Sequence, residues 1–584
     1  MGYLRPYGPL VIVSVVALIG HSLLQIAGPY LTKVVIDRYL NPQAVSSPLD
    51  PYLSPERFTG LSQVALLYLA ALVLSFFFQY VETYVMQYTG QKVMFDLRRG
   101  IFDHLQRLDI SYYDRAPVGR LVTRVTTDVD VLNELFAAGV VAIFGDLFTL
   151  AFIAATMIAL SPALTLASIS IAPLVMGVTF LFRRAVRDAN RRIRVAIARI
   201  NAYLQEHVTG MTVVQLFNHE GKSCRKFARI NADHRDAFKD AILAHSLFYP
   251  AIEWLGTLAL VVLLVYGGSR VLSGTLTIGV LVAFMQYSLR VFRPIQDLGE
   301  KFNILQSAMA SAERIFKLLD TPAKIQASPR PAASPDGDTG IEFQNVRFAY
   351  GGEDWVLRDV NFQVSPGETV ALVGHTGAGK TTILSLLLRF YDVTQGRILV
   401  GGVDVRDYDP VELRRRFGVV LQDPYLFSGT IATNIRLGTE TIPDERIEEA
   451  AEEVNLGDFI RSLPGGFEEE VRERGNSLST GQKQLINFAR ALAHNPHFLI
   501  LDEATSSVDT ETEFRVRAAV NRMVSGRTSI VVAHRLSTVQ RADRILVMHK
   551  GRLRESGTHQ ELLAKRGIYW KLYQLQYKDQ EVAG

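Results

Sequence analysis

Hydrophobic residues are unevenly placed along this chain. In its first half they gather into six runs, near Leu10–Tyr30, Leu61–Tyr84, Leu135–Ala159, Ala163–Phe182, Ile242–Tyr266 and Ile278–Phe292. These runs approach the about 20 apolar residues needed to cross a bilayer, and they lack the polar face of a soluble amphipathic helix. The pattern predicts six membrane helices. The first run is too long for a signal-peptide core and is not followed by a small-residue cleavage site.

The connections alternate in length. Ser161–Pro162 joins the third and fourth runs, and a short Gly267–Thr277 turn joins the fifth and sixth. Met86–Glu134 and Arg183–Asp240, by contrast, are long, charged and helical in pattern, with Lys92, Arg98, Arg99, Arg107, Arg115, Arg120 and Arg124 on the first and an arginine series from Arg183 to Arg229 on the second. Loops rich in Lys and Arg stay on the cytoplasmic side, so both long connections and both termini are expected inside. Helices that continue beyond the membrane suit levers reaching into the cytosol. Tyr113–Gly119 and, less sharply, Thr209–Met211 interrupt them, as expected for turns with short transverse helices.

Thr321–Gly340, rich in Pro, Ala, Ser and Gly, reads as a linker. Beyond it, short β-branched runs alternate with helical stretches, the mark of an α/β domain. The expected layout is an all-α six-helix transmembrane domain over 1–320, a linker over 321–340 and an α/β P-loop nucleotide-binding domain over 341–584. Composition agrees: 48% of the 584 residues are hydrophobic and mean hydropathy is +0.15, which excludes a disordered chain. The net charge of +4 is too small to argue for nucleic acid, and it conceals the arginine-rich connections. One cysteine, Cys224, excludes an internal disulfide and a multi-thiolate zinc cluster.

The chemistry lies in the second half. Val370–Val373 reads as a buried strand, followed by Gly374-His375-Thr376-Gly377-Ala378-Gly379-Lys380-Thr381 and a leucine-rich helix. This is a full G-x-x-x-x-G-K-[ST] motif between the strand and helix that its mechanism needs. Gly374, Thr376, Gly377, Gly379 and Thr382 belong to the stretch that would curl around phosphate oxygens at a helix N-terminus. Lys380 would reach the β- and γ-phosphates, and Thr381 would hold Mg2+. A second apolar strand, Phe498–Leu501, delivers Asp502 where such an enzyme holds Mg2+ and leaves Glu503 to activate water.

With these motifs, Leu478-Ser479-Thr480-Gly481-Gln482 resembles the L-S-G-G-Q signature of the ATP-binding cassette (ABC) family, and almost the whole chain is similar to bacterial half-transporter exporters of that family. The resemblance implies that Tyr350 stacks on adenine, that Gln422 senses Mg2+ and the γ-phosphate, that Asp509 forms the D-loop and that His534 is the switch histidine. Val471–Gly475 resembles the exporter segment that meets the transverse helices. Ser479, Gly481 and Gln482 would face ATP held by another cassette, so two chains would sandwich two ATP molecules. The implied activity is ATP-driven export of hydrophobic or amphipathic drugs or lipids by alternating access across a bacterial cytoplasmic membrane. A homodimeric lipid flippase and an ATP-gated channel or regulatory subunit stand as alternatives.

Thr480 departs from the signature. Some bacterial exporters pair a subunit having an intact glutamate and an altered signature with a partner having the reverse. Glu503 beside Thr480 favours such a heterodimer, and a homodimer stays open. For cargo, Asp146 and Glu253 fall mid-span, with Glu82, Arg290 and Arg293 nearer the cytoplasm and Phe76, Phe77, Tyr249, Trp254, Phe284 and Tyr287 available as aromatics. A cavity built from them would take amphipathic, cationic compounds; pairing between helices or snorkelling is the alternative.

Overall fold

The computed structural model describes residues 2–41, 48–136, 141–328, 340–439, 441–472, 475–502, 510–532 and 536–576. Its contacts define two compact units, residues 1–106 with 118–321 and residues 107–117 with 322–584.

The first unit is helical. Its long elements are Gly8–Val34, continued by a π-helical turn over Val35–Leu40, then Arg57–Arg107, Val141–Leu160, Pro162–Ile169, Ala172–Thr209, Glu220–Leu272 and Ile278–Leu319. Among the described residues, five helices are long and apolar enough to cross a membrane, and the described apolar part of the sixth, Ile278–Val291, is shorter. The 53 residues of Glu220–Leu272 extend about 80 Å at 1.5 Å per residue, well beyond the about 30 Å hydrocarbon layer. The expected extramembrane levers are therefore continuous with the spans. A short helix, Met211–Leu216, follows the break at Gly210.

The expected turn at Gly267 is displaced. The helix runs on to Leu272, because Gly267 is a close-packing point: a Cβ there would lie 2.5 Å from Leu281 Cδ1 and 3.2 Å from Leu164 Cδ2. The chain turns instead at Gly274, where φ is +73°. Thr277 then caps Ile278–Leu319, its side chain accepting from the Val280 N–H. Asp37, only 2% exposed, closes this corner by accepting from the Thr277 hydroxyl at 2.7 Å and the Gly279 N–H at 2.8 Å, with the Lys33 ammonium 3.7 Å away. Farther along, Asp128 accepts from the Arg314 guanidinium and, at 3.0 Å, from the Ser311 hydroxyl, joining Thr127–Glu134 to Ile278–Leu319. Phe284 and Tyr287 are fully buried in a cluster with Ile153, Met157, Leu164 and Leu263, and the Tyr287 hydroxyl donates to the Ile26 carbonyl. They pack the bundle rather than line a cavity.

The second unit contains β1 (Ile341–Phe348), β2 (Leu357–Val364), β3 (Thr369–Val373), β4 (Gln395–Val400), β5 (Val403–Asp404), β6 (Phe417–Val420), β7 (Gly429–Thr430), β8 (Glu470–Val471), β9 (Phe498–Asp502), β10 (Thr528–Val532), β11 (Arg544–His549) and β12 (Arg552–Gly557). An antiparallel sheet runs β2-β1-β4-β5, and a six-stranded sheet runs β12-β11-β3-β10-β9-β6. The larger sheet is parallel except for β12. Its interior strands β9 and β10 are buried at every position, as a sheet covered on both faces requires.

Candidate nucleotide site

Strand order decides where the chemistry gathers. β10 lies between β3 and β9, with Val532 level with Leu372 on one side and Asp502 on the other. The P-loop leaves β3, and Asp502 closes β9, at the same carboxyl edge where open α/β sheets bind ligands. Glu503 and Asp509, which follow β9, and His534, which follows β10, lie outside the described residues.

The P-loop needs its glycines. Gly377 and Gly379 have φ of +80° and +99°, values that an L side chain adopts only with strain. A Cβ on Gly374 would meet the Met548 carbonyl oxygen at 2.3 Å, and one on Gly379 would lie 2.6 Å from Leu357 Cδ2. Gly379 caps the helix Lys380–Leu387, so N–H groups without intrahelical partners begin there. The Lys380 ammonium bends back over the loop and donates to the Gly374 carbonyl at 2.6 Å and to the His375 carbonyl at 3.2 Å. Burial holds this ammonium below the usual lysine range, and the Asp502 carboxylate works against that shift. Lysine and aspartate are thus close enough to feel each other.

Thr381 is exposed in the first helical turn, Gln422 is exposed after β6, and Asp502 is buried. Among the described residues no group of three or more His, Cys, Asp or Glu gathers to hold a metal unaided. One carboxylate beside a hydroxyl at a phosphate cradle is the donor set for Mg2+ arriving with phosphates, so the residues fit that ion.

Thr376 completes the loop between Gly374 and Gly377, and Thr382 is buried behind it, its hydroxyl 3.1 Å from the Tyr350 phenol. Tyr350 is 42% exposed, and Tyr391 stands edge-on to it with centroids 5.0 Å apart. Both tyrosines bond the short helix Ile110–Arg115: the Tyr391 hydroxyl donates to the Asp114 carboxylate, and the Arg115 guanidinium donates to the Tyr350 backbone carbonyl at 3.1 Å. Burial and then the Asp114 carboxylate push the Tyr391 phenol upward. Nothing in the sequence pointed to Tyr391; its role depends on a residue 277 positions away.

Ser479 is the N-cap of the helix Thr480–Ala493 and forms a capping box with Gln482, the Ser479 side chain accepting at 3.2 Å and the Gln482 side chain accepting at 2.9 Å. The serine hydroxyl spends an acceptor pair here and keeps its proton for another acceptor. Gly481 is buried. Thr480 is exposed, opens the helix and does not have positive φ, so its β-branched side chain stands without backbone strain. Arg490 on this helix donates to the carbonyls of Asn434 and Tyr425, fastening the segment that follows Gln422, and burial pushes its guanidinium down to about 10.

The family model described as ABC transporter transmembrane region matches residues 11–295, and the one described as ABC transporter matches residues 357–506. A putative ABC transporter ATP-binding protein of Streptococcus pneumoniae is 38% identical over 583 residues, 99% of this chain and 96% of that protein. A fatty acid ABC transporter ATP-binding/permease protein of Mycobacterium tuberculosis is 40% identical over 511 residues, covering 87% of this chain and 79% of its own length. An ATP-dependent lipid A-core flippase of Syntrophus aciditrophicus is 36% identical over 503 residues, 86% of this chain and 84% of that protein.

Proposed function

This chain belongs to the ABC transporter family, and on that premise we propose how its residues divide the work of an ATP-driven exporter. It is a multi-pass membrane protein with a cytoplasmic ATPase domain, a half-transporter that couples ATP hydrolysis to export. The observation carrying the catalytic reading is the shared edge of β3, β10 and β9. Gly374, Thr376, Gly377 and Gly379 cradle the phosphates, Lys380 turns from the loop carbonyls to the β- and γ-phosphates, and Tyr350 stacks on adenine.

Thr381, Gln422 and Asp502 would hold Mg2+, which when bound offsets negative charge on the phosphates. Glu503 orients the attacking water and takes its proton, and His534 contacts the γ-phosphate. Ser479, Gly481 and Gln482 act across the dimer on ATP held by the other cassette, and Asp509 forms the D-loop. Ile110–Arg115 and Met211–Leu216 are the transverse helices that pass cassette closure to the spans.

The partner is a second half-transporter. An intact Glu503 in a chain that also carries the exposed Thr480 supports a heterodimer, because the threonine adds bulk on the surface turned to the partner's nucleotide. The cargo is a hydrophobic or amphipathic small molecule or a lipid, in keeping with relatives named for multidrug resistance, fatty acid and lipid A-core. The test is ATP-driven transport in vesicles. Glu503→Gln is expected to abolish turnover while ATP still binds, and undiminished turnover would remove Glu503 from the mechanism. The chain purified alone is expected to turn over slowly; a fast homodimer would overturn the heterodimer.

A further inference from the structure

A cavity of about 670 Å³ lies within the membrane unit, walled by Gly8–Val34, Arg57–Arg107, Val141–Leu160 and Ile278–Leu319. Small-molecule sites span about 300–1,000 Å³. The wall divides by chemistry: Leu24, Leu72 and Leu289 make an apolar part, and His21, Gln25 and Arg290 a polar one.

Arg290 lies twelve residues past Ile278, about 18 Å along the helix and within its apolar part, Ile278–Val291. A guanidinium within a membrane-crossing segment is costly and is kept where it has a partner or a task. It donates to the Gln25 carbonyl, and among the described residues no carboxylate pairs with it. Most of a five-donor fork is then left for other acceptors. The acid on the same wall, Asp146, is already paired with the Lys301 ammonium.

The His21 ring is held in the wall, its Nδ1 3.2 Å from the Ser75 carbonyl and 3.1 Å from the Ser75 hydroxyl and its Nε2 2.9 Å from the Gln25 amide. Of the groups that suggested a cationic cargo, Asp146 is paired with Lys301, and Glu253 and the named aromatics are not on this wall. The side chain of Arg293 lies outside the described residues.

We propose that this cavity binds an amphiphile with one anionic head group, a carboxylate or phosphate monoester, the head on Arg290 and the chain along Leu24, Leu72 and Leu289. A planar guanidinium suits both heads because it pairs with their oxygens two at a time. The inference rests on the exporter reading and narrows its cargo.

The test uses the full-length transporter in nanodiscs of neutral phosphatidylcholine, with palmitate, hexadecyl phosphate, hexadecylamine and inorganic phosphate as probes. Palmitate, hexadecyl phosphate or both are expected to bind, hexadecylamine at least tenfold more weakly, and inorganic phosphate is expected not to compete. Arg290→Gln should weaken anionic binding at least tenfold and Arg290→Lys should restore most of it. Leu72→Trp, which crowds the cavity without touching the cation, should also weaken it. Equal binding of hexadecylamine, displacement by inorganic phosphate, or binding indifferent to both Arg290→Gln and Leu72→Trp would overturn the site. A protein that binds palmitate through Arg290 but moves nothing on ATP hydrolysis would keep the site and defeat the exporter reading; working export with palmitate binding indifferent to these changes would do the reverse.

Discussion

Replacing Asp37 by alanine would strip three groups of their shared acceptor: the Gly279 N–H, the Thr277 hydroxyl and the Lys33 ammonium. The carboxylate is buried, so water does not replace what is lost. Hydrogen bonds to a charged group contribute about 1.5–3 kcal/mol each, so the two together are worth about 3–6 kcal/mol. Breaking a buried ion pair from one side costs about 3–5 kcal/mol, and the two routes agree at about 3–5 kcal/mol. At about 1.4 kcal/mol per tenfold, local opening at the start of Ile278–Leu319 should become at least about a hundredfold more frequent. Hydrogen exchange of the peptide over Thr277–Ala283 reports that opening directly. Asp37→Asn, which keeps an acceptor oxygen but loses the charge, should fall between wild type and alanine. Gly279→Ala should act like Asp37→Ala, since its Cβ would lie 2.5 Å from the carboxylate oxygen and 2.6 Å from the Lys33 carbonyl. Unchanged exchange in Asp37→Ala would show that the corner is held by packing alone and refute the reasoning.

Tyr391→Phe removes the hydroxyl that bonds Asp114 and keeps the ring against Tyr350. Because the pair is only partly buried, its coupling should be about 1 kcal/mol, read as non-additivity with Asp114→Ala in cargo-stimulated ATP turnover; strictly additive losses would show that the contact transmits nothing. The Asp128 carboxyl is held below the usual carboxylate range, chiefly by the Arg314 guanidinium bonded to it. Its stabilisation is fully present above the unfolded value of about 3.9 and is lost as pH falls through the lower folded value. Thermal unfolding of wild type against Asp128→Asn should therefore differ at pH 5–7 and converge as the medium is acidified below about pH 4, and a constant difference would count against the ion pair.

Local chemistry was readable from the chain, and distant pairing was not. The P-loop glycines and Lys380 sit within one turn, so their spacing carries their geometry; the run into Asp502 is a contiguous strand. The arginine-rich connections likewise announced helices reaching past the membrane. Asp37, by contrast, meets Thr277 and Gly279 across some 240 positions, and no periodicity encodes that meeting. Asp146 looked like an open acid because Lys301 is 155 residues away. Gly267 looked like a turn because a glycine that admits Leu281 and a glycine that breaks a helix are the same letter. Phe284 and Tyr287 looked like cavity aromatics until their burial showed them packing the bundle.

The grouping of residues 107–117 with 322–584 bears on how such proteins can be cut and recombined. The portable ATPase module is discontinuous in sequence: a fragment beginning at Pro322 lacks Asp114 and Arg115, and so leaves the Tyr391 hydroxyl and the Tyr350 carbonyl without the partners they have in the whole chain. A chimera that exchanges cassettes between relatives must carry the Arg107–Pro117 insert along with the C-terminal half, or graft a tyrosine and an acid matched to each other. The same linkage acts on drift. A substitution at Tyr391 changes what is acceptable at Asp114, so these two positions should diverge in step even where the stretches around them do not.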